Sequence, residues 1–417
     1  MYNENKFTEP REAEQIETIS NHESKQEALN QKINQKADYI IAIRNTIFNN
    51  RNSSAEDFSN MLNDCFEAFV MDCDQKVLQR ISKYFDTKEQ LEQETEAVDA
   101  VSETKEEFDK IIQDSDVSFV QHMLQAQTNL VSKRKIVEEY EALNEEDRKE
   151  KVILSVRDKL IHSDGISDEW LNNPHALDML GIEVVCNGIS LDIYFSENNW
   201  VKAVKKHTKS QGRHFSNTPI NIILKSEDYD GSEETRMHEE MHSIFETLSL
   251  DCKYDGEVRD LMRSRVEEIA PIIRKAPDSE LAKQKRGELE SYLLSFFGSL
   301  TDELFADIEE YRHTGKAPTY EAYITSQIRM SLGPYLRQGL PRDLGLDGKK
   351  LADEYSRVCG ETLQILKEVY DGGLKNDIID KVQAAIVLFP NDIRKAKRFI
   401  DWLAHSSILS KINNHGC

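Results

Sequence analysis

Residues 235–250 read TRMHEEMHSIFETLSL, and this stretch decides how the chain is understood. Met237, Met241, Ile244, Phe245 and Leu248 recur at helical spacing, which predicts a helix buried on one side. The other side carries His238, Glu239 and His242, an HExxH. Positions i and i+4 stack on one helical face, about 5–6 Å apart at Cβ, so two imidazoles can reach one ion. Glu239 follows the first histidine and can take a proton from a metal-bound water. Zn2+ is the expected cofactor, because it lowers the pKa of such a water towards about 7. The plain alternative is a solvated polar face on an ordinary helix.

Working back from this helix, Asp230 or Ser232 can cap it, and Glu233 and Glu234 fall in its first turn, where the helix dipole favours acids. Before that turn, residues 219–225 (PINIILK) read as a strand, and Pro219 at its start suggests a sheet edge. An edge strand there can pair with an extended peptide through main-chain hydrogen bonds; an interior strand has no such role. Two shorter β patterns, 182–186 and 189–195, flank Asn187-Gly188, a strong hairpin signal. The basic stretch with Lys202, Lys205, Lys206, Lys209 and Arg213 reads as a solvated loop, with an acidic partner as its alternative.

Working forward, a catalytic zinc needs a third protein ligand and an open position. Leu289, Leu293, Phe296, Leu300, Leu304 and Ile308 predict a long amphipathic helix. Glu303 sits beside that stripe and can complete the site. Asp307, one turn on, can accept a hydrogen bond from the far nitrogen of a ligand histidine. Competing third ligands are Glu267 and Glu268, nearer in sequence, and Glu309 and Glu310, whose neighbours Ile308 and Tyr311 suggest another facing. Residues 243–248 supply no further histidine of the extended metzincin type.

His238-Glu239-Glu240-Met241-His242, followed by Glu303-Leu304-Phe305-Ala306-Asp307, resembles the gluzincin pattern HExxH…ExxAD. It is similar to the pattern of prenyl-protein endopeptidases, heat-shock membrane peptidases and their soluble periplasmic relatives. The resemblance implies that His238, His242 and Glu303 bind zinc, that Glu239 is the general base, and that Asp307 supports a histidine. It covers roughly residues 230–310. The helical N-terminal region is not part of that pattern, and the family's membrane or periplasmic setting is not carried over.

Tyr311, His313, Tyr320 and Tyr323 follow the third-ligand helix and are candidates for steadying an oxyanion or contacting substrate. Each alone is more readily a packing or surface residue.

The first 150 residues read as helices joined by polar turns, with Pro10 as their one proline and no glycine. Leu29, Ile33, Ala37, Ile40, Ile41, Ile47 and Phe48 form one stripe; Phe58, Leu62, Cys65, Phe69, Cys73 and Tyr84 form a second. Ser53 with Glu56 reads as a capping box between them. No strict heptad is sustained, which favours a bundle over a long coiled coil.

The formal net charge of −23 repels phosphate backbones, so nucleic acid is not expected as a partner. Six scattered cysteines without a CxxC pair point to a reducing compartment, and no secretory signal or 18-residue apolar run is visible, so a cytoplasmic chain without a membrane span is expected.

The sequence therefore predicts an α+β, mostly helical fold: an N-terminal helical bundle (1–150), a zincin-like catalytic domain with a small sheet (151–315), and C-terminal helices packing on it (316–417). The expected activity is zinc-dependent hydrolysis of a peptide or protein substrate, with a possible protein partner for the N-terminal helices. The alternatives are a non-catalytic scaffold that keeps a zincin fold, and a zinc hydrolase acting on a non-peptide amide.

Overall fold

The computed structural model describes residues 10–50, 52–94, 108–144, 233–249, 255–295, 298–315, 340–370, 376–390 and 392–414, with single positions 105, 147 and 151. It also describes, as backbone alone, residues 182–186, 189–191, 212–214 and 220–224. The expected long hydrophobic stripes become α1 (Pro10–Asn49), α2 (Ala55–Met71), α3 (Gln75–Glu94) and α4 (Ser115–Glu141). The HExxH lies on α5 (Glu233–Leu248). There follow α6 (Asp255–Lys275), α7 (Glu280–Ser295), α8 (Gly298–Thr314), α9 (Leu340–Asp343), α10 (Gly348–Tyr370), α11 (Asn376–Leu388) and α12 (Ile393–Asn414).

The α+β class is corrected. Where backbone and side chains are both described, the chain is 88% helical and holds no strand and no sheet, so the fold is all-helical. Among the described residues of 182–224 the backbone makes short antiparallel ladders, β1 (Ile182–Cys186), β2 (Ile189–Leu191), β3 (Gly212–His214) and β4 (Ile220–Leu224), in the order β2-β1-β4-β3. Among the described residues, every side chain of the core comes from a helix or a turn between helices. The edge position suggested by Pro219 is also corrected, since β4 is flanked by β1 and β3 and is paired on both sides.

Local chemistry sets the helix ends. Ser54, not Ser53, caps α2: its Oγ accepts from the Asp57 backbone N–H at 3.0 Å and donates to Asp57 Oδ2 at 2.8 Å. Ser53 is already engaged, donating to the Asn50 carbonyl at 2.7 Å. The stripe from Phe58 to Tyr84 is two helices, because Asp74 Oδ1 accepts from the Val77 backbone N–H at 2.9 Å and starts α3 afresh. The stripe from Leu289 to Ile308 is likewise α7 and α8. Gly315 ends α8 at φ 66°, with its N–H on the Tyr311 carbonyl at 2.8 Å, a left-handed cap open to glycine.

Buried side chains of α1–α4, α5–α8 and α10–α12 form one continuous hydrophobic core. Leu29 is the exception in the first stripe, half-exposed at 51%. The contact that positions the site is between α5 and α8. Phe245 and Phe305 meet at 5.4 Å between ring centroids, tilted by 44°, and both are buried. Ala306 is fully buried, and its small side chain suits a close helix approach. Thr301 pins the first turn of α8 by donating to the Pro390 carbonyl at 2.7 Å.

Among the described residues, no helix is long and apolar enough to cross a membrane.

Candidate metal centre

α5 buries Met237, Met241, Ile244, Phe245 and Leu248, as their spacing predicts. That orientation turns His238 and His242 towards α8, with ring centroids 4.8 Å apart and planes at 79°. On α8, Glu303, Asp307 and Glu310 follow one another at i, i+4 and i+7, a single stripe of carboxylates along one side of the helix.

The two stripes interlock. His238 Nε2 lies 3.3 Å from Glu303 Oε2, and His242 Nε2 lies 3.6 Å from the same oxygen. One ligand atom from each of the three residues falls within 4.8 Å of the others. The opposite ring nitrogens are held by other acids. His242 Nδ1 donates to Asp302 Oδ1 at 2.8 Å. His238 Nδ1 donates to Glu310 Oε2 at 3.1 Å, with Asp307 Oδ1 at 3.6 Å. Both Nε2 atoms thus point at one place, and both Nδ1 protons are fixed elsewhere. With Nδ1 held by a carboxylate, Nε2 is the nitrogen left to bind a metal once the ring gives up its second proton.

A second triplet, His238 with Asp307 and Glu310, gathers on the Nδ1 side. It offers only one imidazole nitrogen and shares it with the first triplet. It reads as the support of His238 and not as a separate centre.

Burial opposes charge throughout the site, and the acids overcome it on both histidines. For His238, burial pushes the pKa down, but the bonds to Glu303 and Glu310 carry it well above the usual imidazole range. For His242, burial likewise lowers, while Asp302 and Glu303 raise it to about 9. Asp307 is pushed up to about 7, first by burial and then by Glu303 and Glu310, against the pull of His238. Glu239 is also buried, at 7% exposure, one position after His238.

The donor set suits zinc. Two imidazoles and one carboxylate are common catalytic ligands, and ligand bonds of about 2.0–2.2 Å in a tetrahedron put donors roughly 3.3–3.5 Å apart. The two Nε2–Oε2 separations match or nearly match that spacing.

The rival third ligands lie elsewhere. Glu267 and Glu268 are exposed on α6, and Glu268 pairs with Arg265 at 2.5 Å. Glu309 is buried in a separate ionic network, and Glu310 serves the far nitrogen of His238. Two of the oxyanion candidates, Tyr311 and His313, each have a partner within the fold. Tyr311 donates its hydroxyl to the Tyr370 carbonyl at 3.3 Å, because its ring packs on Tyr370 at 4.2 Å. His313 is half-exposed and turns Nε2 to Glu309 Oε1 at 3.3 Å. Tyr320 and Tyr323, like Asp230 and Ser232, fall outside the described residues.

Asp302 escaped sequence reasoning altogether, and Glu310 was weighed only as a ligand. The signal for Glu310 was its i+7 spacing from Glu303. Asp302 carried no comparable signal, since an acid beside an acid is commonplace in this chain.

No family model matches the chain, and neither a curated protein nor a solved structure is detectably similar to it.

Proposed function

We propose that this chain is a zinc-dependent metallohydrolase that cleaves peptide bonds, with His238, His242 and Glu303 as the metal ligands. One observation carries the reading: two Nε2 atoms converge on one Glu303 oxygen at 3.3 and 3.6 Å, while carboxylates hold both Nδ1 atoms.

When bound, zinc supplies a Lewis acid that polarises a carbonyl and acidifies water. The chain's own residues do the rest. Asp302 holds His242, and Asp307 with Glu310 holds His238, so neither ring turns away from its ligand position. Glu239, one residue from His238, is the general base: it takes a proton from the attacking water and returns it to the leaving amine. The peptide as substrate, in place of another amide, rests on the HExxH…ExxAD resemblance.

The test is metal content by mass spectrometry on the purified chain, beside Glu303→Ala and a Glu267→Ala/Glu268→Ala double variant. The expected result is about one zinc per chain, lost with Glu303→Ala and kept in the double variant. A broad peptide library read by mass spectrometry then reports cleavage. Absence of zinc after reconstitution overturns the metal reading; zinc without peptide turnover overturns the substrate.

A further inference from the structure

Two buried cations from the N-terminal helices reach the two ligand-bearing helices, and neither belongs to the metal centre. On α1, Arg44 is 4% exposed. It donates through Nη2 to Asp380 Oδ1 at 2.6 Å, through Nη1 to Gln383 Oε1, and lies 3.8 Å from Glu309 Oε2. Arg312 faces the same group from α8, 3.4 Å from Glu309 Oε2 and also on Asp380. Gln383 donates to Glu309 Oε2 at 3.0 Å and to the Phe305 carbonyl at 3.3 Å. Two cations balance two carboxylates. At 100° per residue, Glu309 and Arg312 lie on the reverse side of α8 from the Glu303, Asp307 and Glu310 stripe.

On α4, Lys133 is 8% exposed and donates to Thr247 Oγ1 at 3.0 Å, with Glu246 Oε2 at 3.4 Å. His122 of the same helix bonds the Leu248 carbonyl at 3.1 Å, at the C-terminal end of α5. The two gripping helices are tied together: Gln127 of α4 donates to the Tyr39 hydroxyl of α1 at 2.8 Å and to the Leu62 carbonyl of α2 at 2.9 Å.

We propose that the N-terminal helices are a positioning clamp for the metal centre, with Arg44 setting the helix that carries Glu303 and Lys133 setting the helix that carries His238 and His242. The inference rests on the proposed metal site. Its physical basis is that a buried charge tolerates little displacement, because a lost partner leaves it desolvated and unpaired. Each contact therefore favours one register of its helix. A metal centre needs its ligands held to within roughly half an ångström. The separation between Glu303 and the two histidines is the separation of α8 from α5, and both helices are referenced to N-terminal helices joined through Gln127.

The experiment is zinc affinity, by competition with a chromophoric chelator, for the full chain and for Arg44→Met, Arg44→Lys, Lys133→Met and Leu289→Ala. Leu289→Ala is the control for lost stability alone, since Leu289 is buried on α7, outside both the N-terminal helices and the ligand-bearing helices. Arg44→Met and Lys133→Met should each weaken zinc binding by about tenfold, the lower end of what supporting residues carry. Leu289→Ala should bind as the wild type does, despite a lower melting temperature. Where Arg44→Met does not fold, Arg44→Lys decides, with a smaller loss expected. Unchanged affinity in the Arg44 and Lys133 variants overturns the clamp, and so does an equal loss in Leu289→Ala. A wild-type chain that takes up no zinc overturns the metal site and the clamp together, so the two failures are distinct.

Discussion

His242 Nδ1 and Asp302 Oδ1 stand 2.8 Å apart, with their side chains only 11% and 12% exposed. The bond fixes the imidazole so that Nε2 remains the ligand atom, and it makes the ring a stronger donor to a cation. Asp302 sits immediately before Glu303, so one turn of α8 supplies both a ligand and the orienter of another. Asp302→Ala should lower zinc affinity by roughly 10–100-fold, and Asp302→Asn should recover part of the loss through its amide oxygen. Chelator competition measures both. A full-affinity Asp302→Ala protein means that His242 is oriented by packing alone.

Glu239→Gln separates binding from chemistry. Glutamine keeps the size and the hydrogen-bonding reach of glutamate but cannot accept a proton at neutral pH. Zinc content should be unchanged, while peptide turnover should fall by at least about 10²–10⁴-fold. Turnover that survives the substitution removes Glu239 from the role of base.

The α5–α8 contact carries stability as well as geometry. Phe245 and Phe305 are both fully buried at the centre of that contact. Phe305→Ala should cost about 3–5 kcal/mol through lost burial and the cavity left behind. It should also weaken zinc binding, since the same contact sets the distance from Glu303 to the histidines. Phe305→Leu should cost less on both counts. Denaturant unfolding and zinc titration on the same samples provide the comparison.

Much of the site was legible because helical periodicity is a local signal. Met237, Met241, Ile244, Phe245 and Leu248 had to face inward, which left His238 and His242 on a second side together. Glu303 and Asp307 were legible for the same reason on α8. Asp302 was not, because its partner lies sixty positions away and nothing local distinguishes it from other acids. The sheet was over-read. The alternating runs at 182–224 pair only as short backbone ladders, while the core is supplied by helices and the turns that join them. Sequence proximity to a ligand helix says nothing about which neighbour the Tyr311 hydroxyl meets. Here it meets the Tyr370 carbonyl. The Ser53 cap slipped by one residue, since Ser53 and Ser54 are equivalent until Asn50 claims the first.

His242 rises from 6.5 to about 9 in the metal-free fold, and His238 rises well above 6.5. A folded-state pKa above the unfolded value means that the folded chain binds the proton more tightly. That stabilisation is complete below about 6.5 and is lost as pH rises through about 9. Asp307, raised by burial from 3.8 to about 7, acts with the same sign over a lower window, losing its contribution as pH rises through about 7. The metal-free protein should therefore melt at progressively lower temperature from about pH 6 to about pH 9, by a few degrees overall. Zinc requires both Nε2 atoms deprotonated, so uptake near pH 7 should release protons, and affinity should rise with pH across the same range. The melting-temperature gain on adding zinc should then be larger near pH 9 than near pH 6. Calorimetric melting at several pH values, with chelator and with zinc, measures the first effect, and zinc titration in weakly buffered solution measures the second. Metal-free stability that climbs across this window, or zinc uptake without proton release, is incompatible with paired, protonated histidines at the ligand positions.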